Sequence, residues 1–269
     1  MAPEQKLEQL RDILGSMGSV VIAYSGGADS SFLLHVASAV LKEKALAVTA
    51  FSPTYTGRER DQAMQFTASA GIAHCFIATE ETNDERYSSN PPDRCYWCKQ
   101  ELFSRLKSIQ YERGFNWIAD GTNTDDHRDY RPGMRAACEF SVRSPLVEAG
   151  LAKEEIRALS RTMGLSTAER PSQPCLASRI PYGTPITIER LTMVERAEEI
   201  LAGLGFTLCR VRHHETVARI EVPAEDLRRL LEDPVREAVI SRFKNIGYRY
   251  VAVELQGYRT GSMNEAIGR

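Results

Sequence analysis

At 269 residues the chain has room for one large domain or for a large domain with a smaller companion, each burying its own core. Charged residues make up 26%, the net charge is −2 and no long run carries a single sign, so the surface is not built to coat nucleic acid. The first residues mix Glu, Lys, Gln, Arg and Leu at helical spacing, unlike a signal peptide, and no apolar run approaches the length of a bilayer, so the expectation is a cytoplasmic protein that does not enter a membrane.

Val20 to Tyr24 is an apolar, β-branched run that breaks into Ser25-Gly26-Gly27, and Phe32, Leu33, Leu34, Val36 and Ala37 follow with helical character. That order is strand, loop, helix. The alternation predicts further strands over 46–51, 73–78 and 117–119 and helices over 58–70 and 95–113. Strands alternating with helices specify an α/β fold with a mostly parallel sheet covered on both faces. Ligands of such a sheet bind beyond the carboxyl ends of its strands, where Ser25, Ser52 and Asp120 fall. The polar stretches 79–94 and 120–132 read as mobile loops beside that place.

A helix over 153–163, closed by Gly164, leads into Arg170-Pro171-Ser172-Gln173-Pro174-Cys175, where two prolines interrupt any regular element. The domain boundary is placed here, with residues 1–168 in the first domain and 169–269 in a second, smaller α+β domain. The second domain reads as a helix over 188–204, strands over 207–213 and 216–222, a helical stretch over 224–243 and a strand over 248–255. That order predicts an antiparallel sheet with helices on one face.

Six cysteines in a reducing compartment do not form a disulfide framework. Cys75, Cys138 and Cys209 stand alone, and Cys75 and Cys209 lie in apolar, strand-like segments as small core residues. Arg94-Cys95-Tyr96-Trp97-Cys98-Lys99 instead opens a helix, and Cys175 lies in the proline-bounded loop. Thiolates at a helix N-terminus beside Arg94 and Lys99 are favoured, which suits metal ligation. Three cysteines fit an iron–sulfur cluster and leave one iron without a protein ligand. Zinc would need a fourth ligand, for which His74 and His127 have no diagnostic spacing, and a redox Cys-x-x-Cys is a third reading. The residues by themselves leave all three open.

Small residues at Ser25, Gly26 and Gly27 let backbone N–H groups approach an anion at the positive end of the following helix. Asp29 is placed to reach a magnesium ion, and Ser30 and Ser31 add hydroxyls. The plainer reading is a strand-to-helix turn with Asp29 as a cap. Neither a Gly-Lys-Ser/Thr signature nor a Gly-x-Gly-x-x-Gly pattern is present.

Ser25-Gly26-Gly27-Ala28-Asp29-Ser30 resembles the SGGxDS loop of the PP-loop ATP pyrophosphatases, and Asp120-Gly121-Thr122-Asn123-Thr124-Asp125-Asp126 resembles their second motif. The resemblance implies an enzyme that cleaves ATP between its α and β phosphates and adenylylates a substrate. It implies that Ser25, Gly26, Gly27, Asp29 and Ser30 hold pyrophosphate, that Ala23 and Ser52 cradle adenosine, and that Asp120 and Thr122 belong to the same nucleotide site.

A longer pattern narrows the family. The Arg94 to Lys99 run, Ser144-Pro145-Leu146 before Lys153-Glu154-Glu155-Ile156-Arg157, Pro174-Cys175-Leu176-Ala177-Ser178-Arg179-Ile180 and Gly257-Tyr258-Arg259-Thr260-Gly261-Ser262 together look like the LarE family of ATP-dependent sulfur transferases. This resemblance covers nearly the whole chain. It implies a substrate, pyridinium-3,5-biscarboxylic acid mononucleotide, whose carboxylates become thiocarboxylates in nickel-pincer nucleotide cofactor biosynthesis. One branch of the family sacrifices the sulfur of a cysteine matching Cys175; another binds a 4Fe-4S cluster through cysteines matching Cys95, Cys98 and Cys175. With all three present, the resemblance implies the cluster type, with ATP and Mg2+, an external sulfide donor and a homo-oligomeric state.

Arg210 and Arg212 alternate with Cys209 and Val211, so on a strand both guanidinium groups share one face, about 7 Å apart. With Arg259, and by resemblance Ser178 and Arg179, they are the expected grips on the substrate phosphate. The alternative is a solvated sheet face, and Glu195, Glu198 and Glu199 likewise read as a solvated helix face, with metal binding by one of them as the other reading. Rival readings are a cluster-dependent tRNA thiolase, an amidating ligase and a catalytically dead ATP-binding sensor. Balanced charge opposes the first of these.

Overall fold

The computed structural model describes residues 1–128, 131–171, 174–259 and 262. In chain order the elements begin α1 (Pro3–Met17), β1 (Val20–Ala23), α2 (Ala28–Leu41), β2 (Ala45–Phe51), α3 (Gly57–Ser69) and β3 (His74–Ala78). They continue α4 (Glu85–Ser88), α5 (Arg94–Arg113), β4 (Trp117–Asp120), α6 (Gly133–Glu139), α7 (Pro145–Glu148) and α8 (Lys153–Thr162). The last are α9 (Ile188–Gly203), β5 (Arg210–His214), β6 (Val217–Glu221), α10 (Leu227–Leu230), α11 (Asp233–Ile246) and β7 (Tyr250–Val253). Two compact units result, one of residues 1–81 and 93–173, the other of 82–92 and 174–269.

In the first unit four strands run in the order β3-β2-β1-β4. Every pair is parallel, and Ala23 stands level with Val48 and Asp120. The α/β expectation of a parallel sheet therefore holds. β1 shows why the chain chose it: all four residues of Val-Val-Ile-Ala are buried, and they face alternately into two cores. Val20 and Ile22 join Leu10, Phe32, Leu33 and Ile156 from α1, α2 and α8. Val21 and Ala23 join Leu102, Phe103 and Leu106 from α5. Each such fully buried aliphatic or aromatic side chain contributes about 2 kcal/mol. Parallel strands end in register, so their carboxyl-terminal loops gather along one edge.

The stretch 79–94, expected as a loop, carries structure. Asp84 caps α4 by accepting from the Arg86 N–H at 2.9 Å. Asn90 is buried with φ +60, a backbone region Asn tolerates better than most residues. Its Nδ2 donates to the carbonyls of Ile180 (3.2 Å), Pro181 (2.8 Å) and Thr184 (2.9 Å).

In the second unit the sheet order is β5-β6-β7. β5 and β6 are antiparallel, whereas β6 and β7 are parallel. The expected all-antiparallel sheet is thus mixed, because α10 and α11 intervene between β6 and β7 and return the chain to the same end. The helical stretch expected over 224–243 breaks before Pro234, which occupies the first turn of α11. Val211, Ile220, Leu201, Phe206 and Phe243 form the core of this unit. No helix among the described residues is long and apolar enough to cross a membrane.

His213 sits in that core at 2% exposure, with Nδ1 3.1 Å from the Tyr248 hydroxyl and a buried Nε2 that has no partner. Burial pushes it below its ordinary value of 6.5. The folded state therefore binds the proton less readily than the unfolded chain. Its contribution is full above about 6.5 and is lost as pH falls through the lowered folded value. Thermal denaturation is expected to show a midpoint that drops between pH 7 and 5, and His213→Gln, which does not titrate, is expected to flatten part of that drop.

Candidate functional site

The loop between β1 and α2 turns at Gly26, with φ +74. Gly27 is the extended N-cap of α2, and the Ser31 N–H is the first to reach back, bonding the Gly27 carbonyl at 3.0 Å. The N–H groups ahead of it have no helical carbonyl to bond, which leaves an anion-binding helix end. The Ser25 and Ser30 hydroxyl oxygens lie 3.1 Å apart, and Ser30 Oγ donates to the Gly27 carbonyl at 3.2 Å.

The second motif meets the first through glycine. A Cβ on Gly121 would lie 2.9 Å from both the N and the Cα of Ser30, so no larger residue fits between the two loops. Asp120 accepts from the Thr122 N–H (3.2 Å), the Thr122 hydroxyl (2.9 Å) and the Ser144 hydroxyl (2.8 Å). Asn123 Nδ2 donates to Asp29 Oδ2 at 3.2 Å, while the Asn123 N–H donates to Asp126 at 3.1 Å. Asp29 Oδ1 is buried without a hydrogen-bond partner. Burial pushes the Asp29 carboxyl above its usual range, with the Lys153 charge opposing the rise and Asp126 adding to it. A buried carboxylate oxygen with nothing to accept from suits a divalent cation such as Mg2+.

Ala23 ends β1 and lines a small cleft with Tyr24, Val48 and Tyr55. Ser52, just past β2, is buried and donates to Glu81 Oε1 at 2.5 Å; the Thr54 hydroxyl donates to the same oxygen at 3.0 Å. Glu81 itself is 2% exposed.

None of the six cysteines is in a disulfide. Cys95 and Cys98 lie three apart at the start of α5, hence on one helix face, and Cys95 is exposed. The turn is held by the Tyr96 hydroxyl donating to Glu139 at 2.7 Å and by Arg135 stacked 3.7 Å over the Tyr96 ring. Trp97 packs edge-on to Tyr96, their centroids 4.9 Å apart. Within each unit, no group of three His, Cys, Asp or Glu that could hold a metal occurs among the described residues. His74 has both ring nitrogens engaged, by Thr49 and Thr67 hydroxyls at 2.9 and 3.0 Å, and the His127 side chain lies outside the described residues.

Cys175 belongs to the second unit, at the head of a 3-10 turn, Leu176–Arg179. Its carbonyl accepts from the Ser178 N–H at 2.9 Å and from Arg179 Nη1 at 3.1 Å. Arg179 also donates to the Pro174 carbonyl and to Ser178 Oγ. The other edge of its guanidinium forks onto Glu198 at 2.9 and 3.0 Å. Arg212 makes the same kind of fork onto Glu221, at 2.9 and 2.8 Å, and donates to the Ser178 carbonyl and the Ser262 hydroxyl. Arg210 lies 5.4 Å from the Tyr258 ring centroid. Burial and the neighbouring Arg179 push its guanidinium below the usual range. Arg179, Arg210 and Arg212 are all below a tenth exposed, so the solvated-face reading of β5 does not hold. Glu198 is turned inward at 14% side-chain exposure, which corrects the same reading for that position. Arg259 follows Gly257, whose φ of +71 brings it against the Val222 carbonyl; Thr260 and Gly261 lie outside the described residues.

No family model matches the chain. An uncharacterized protein of Synechocystis sp. is 42% identical over 264 residues, 98% of each chain. The pyridinium-3,5-bisthiocarboxylic acid mononucleotide synthase of Lactiplantibacillus plantarum is 35% identical over 255 residues, 94% of this chain and 92% of its own. The chain belongs to the LarE family. A third relative, an uncharacterized protein of Methanocaldococcus jannaschii, is 29% identical over 248 residues, 90% of this chain and 91% of its own.

In this LarE-family chain, sequence reasoning gave no role to Glu81, Arg170 and Glu221, and it quoted Asn123 and Asp126 within the second motif and Lys153 and Arg157 within the α8 run without saying what each touches. Glu198 was visible only as one of three glutamates on a helix, and nothing in their spacing says which turns inward. Gly121→Ala is expected to cost about 1–3 kcal/mol in urea denaturation, because the new Cβ must displace backbone. Glu198→Ala leaves a buried guanidinium without its carboxylate, with an expected loss of about 3 kcal/mol by the same measurement.

Proposed function

We propose that this chain is an ATP-dependent sulfur transferase acting on pyridinium-3,5-biscarboxylic acid mononucleotide in nickel-pincer nucleotide cofactor biosynthesis. It adenylylates a substrate carboxylate, releases pyrophosphate, and replaces AMP with sulfur to give a thiocarboxylate. The observation that carries the reading is the 35% identity over 94% of the chain to a synthase named for the bisthiocarboxylic acid mononucleotide. The chemistry of the residues supports it. A carboxylate oxygen is a poor leaving group until it carries AMP, and the Ser25 to Ser30 loop offers N–H groups and two hydroxyls to the departing pyrophosphate. Asp29 would hold Mg2+ through its unpartnered oxygen, and Ala23, Ser52, Asp120 and Thr122 would shape the remainder of the nucleotide site.

In the second unit, three buried guanidinium groups face two carboxylates, Glu198 and Glu221, among the described residues. Guanidinium forks match phosphate geometry, and Arg210 and Arg212 with Arg259 and Ser178 would grip the substrate phosphate. Arg179 acts by holding the Cys175 backbone. Cys95, Cys98 and Cys175 would hold a 4Fe-4S cluster, which when bound supplies an exchangeable sulfur, reloaded from an external sulfide donor. A second reading, in which Cys175 gives up its own sulfur, needs only that single residue, whose backbone carbonyl Arg179 and Ser178 hold.

Protein reconstituted anaerobically is expected to carry about four iron atoms per chain, and Cys175→Ala is expected to lose them. Zinc uptake without iron would sink the cluster reading. With ATP, Mg2+ and substrate, the expected products are AMP, pyrophosphate and a thiocarboxylate, with the polypeptide mass unchanged after turnover. Loss from the chain of the mass of one hydrogen sulfide molecule would establish the sacrificial cysteine instead.

A further inference from the structure

The carbonyl of Gly26 precedes α2 and has no helical N–H to accept from, yet it stands in the loop that must present N–H groups rather than carbonyls to an anion. Arg170 Nη1 donates to this carbonyl. The hold on Arg170 is itself built up: its N–H donates to the Thr167 carbonyl at 3.1 Å, and its carbonyl accepts from Arg157 Nη2 at 3.1 Å. Arg157 lies one turn along α8 from Lys153, whose N–H donates to Asp125 at 2.8 Å. Positive charge from Lys153 and Arg157 reaches Asp29, and positive charge from Arg170 reaches Tyr24 at the end of β1. These cations converge on the loop from one helix and the turn that follows it.

We infer that Arg170 is a positioning residue of the anion-binding loop. It turns the Gly26 carbonyl away from the ligand and, with Lys153 and Arg157, sets a positive field for the β- and γ-phosphates. A guanidinium bound to a carbonyl offsets a dipole that would oppose an anion. The α-phosphate and adenosine, which lie farther along the strand ends, depend on it less. The inference rests on the ATP reading given above.

Calorimetric titration of the full chain with pyrophosphate, ATP and AMP, each with Mg2+, tests it. Arg170→Ala is expected to weaken pyrophosphate and ATP about tenfold, the scale of one charge-assisted hydrogen bond, and AMP by less than about threefold. Arg170→Lys, which keeps the charge without the fork, is expected to recover part of the loss. It also serves, with Arg170→Gln, if the alanine variant fails to fold. Pyrophosphate binding as tight as wild type in Arg170→Ala overturns the inference, and so does an equal loss for AMP, which marks a purely structural role. A wild-type chain that binds neither ATP nor pyrophosphate overturns the ATP reading itself, a result distinct from either.

Discussion

Close approach of two backbone segments governs the first unit. The loop after β4 lies against the first turn of α2 so tightly that Gly121 has no room for a Cβ beside Ser30. From that contact follow the placement of Asn123 on Asp29, of Asp126 on the Asn123 N–H, and of Asp125 on the start of α8. The start of α2, the loop after β4 and α8 become one hydrogen-bonded assembly at the carboxyl edge of a parallel sheet. A rigid assembly of this kind holds N–H groups and a carboxylate in place before a ligand arrives, so little ordering remains to be done on binding.

The second unit is organised by charge. Burying Arg179, Arg210 and Arg212 together is unfavourable unless carboxylates or an anion offset them. Glu198 and Glu221 each take one guanidinium in a two-bond fork, which leaves its outer donors for backbone carbonyls. Those carbonyls belong to Pro174, Cys175 and Ser178, so the charge network and the cysteine turn are one structure. A thiol on such a pinned backbone is confined to few directions, which suits either a metal ligand or a nucleophile.

The chain shares the LarE family with a relative named as a bisthiocarboxylic acid mononucleotide synthase. The function proposed above asks for two things, activation of a carboxylate by ATP and a holder for sulfur. The two tasks ask for opposite surroundings. The first wants N–H groups and cations around a polyanion, and the second wants thiolates with a restrained backbone. The loop after β1 has surroundings of the first kind, and the Cys175 turn has a restrained backbone of the second.

Local sequence determined much. The Val20 to Tyr24 run with its serine and two glycines specified strand, tight turn and helix, since an apolar β-branched stretch favours a buried strand and glycine allows the turn. Alternation of strand and helix likewise specified the parallel sheet. The cysteine spacing and the second motif could be picked out without coordinates, although spacing by itself left cluster, zinc and redox readings of the cysteines open. What only the tertiary structure decided concerns which polar side chains meet. Glu198 among three helical glutamates, Glu81 beneath Ser52, and Arg170 on the Gly26 carbonyl are pairings between segments far apart in the chain, and no periodicity carries them. The parallel pairing of β6 with β7 belongs to the same class, because strand direction depends on where α11 delivers the chain. Local propensity acts over a few residues, whereas a buried charge finds its partner wherever the fold brings one.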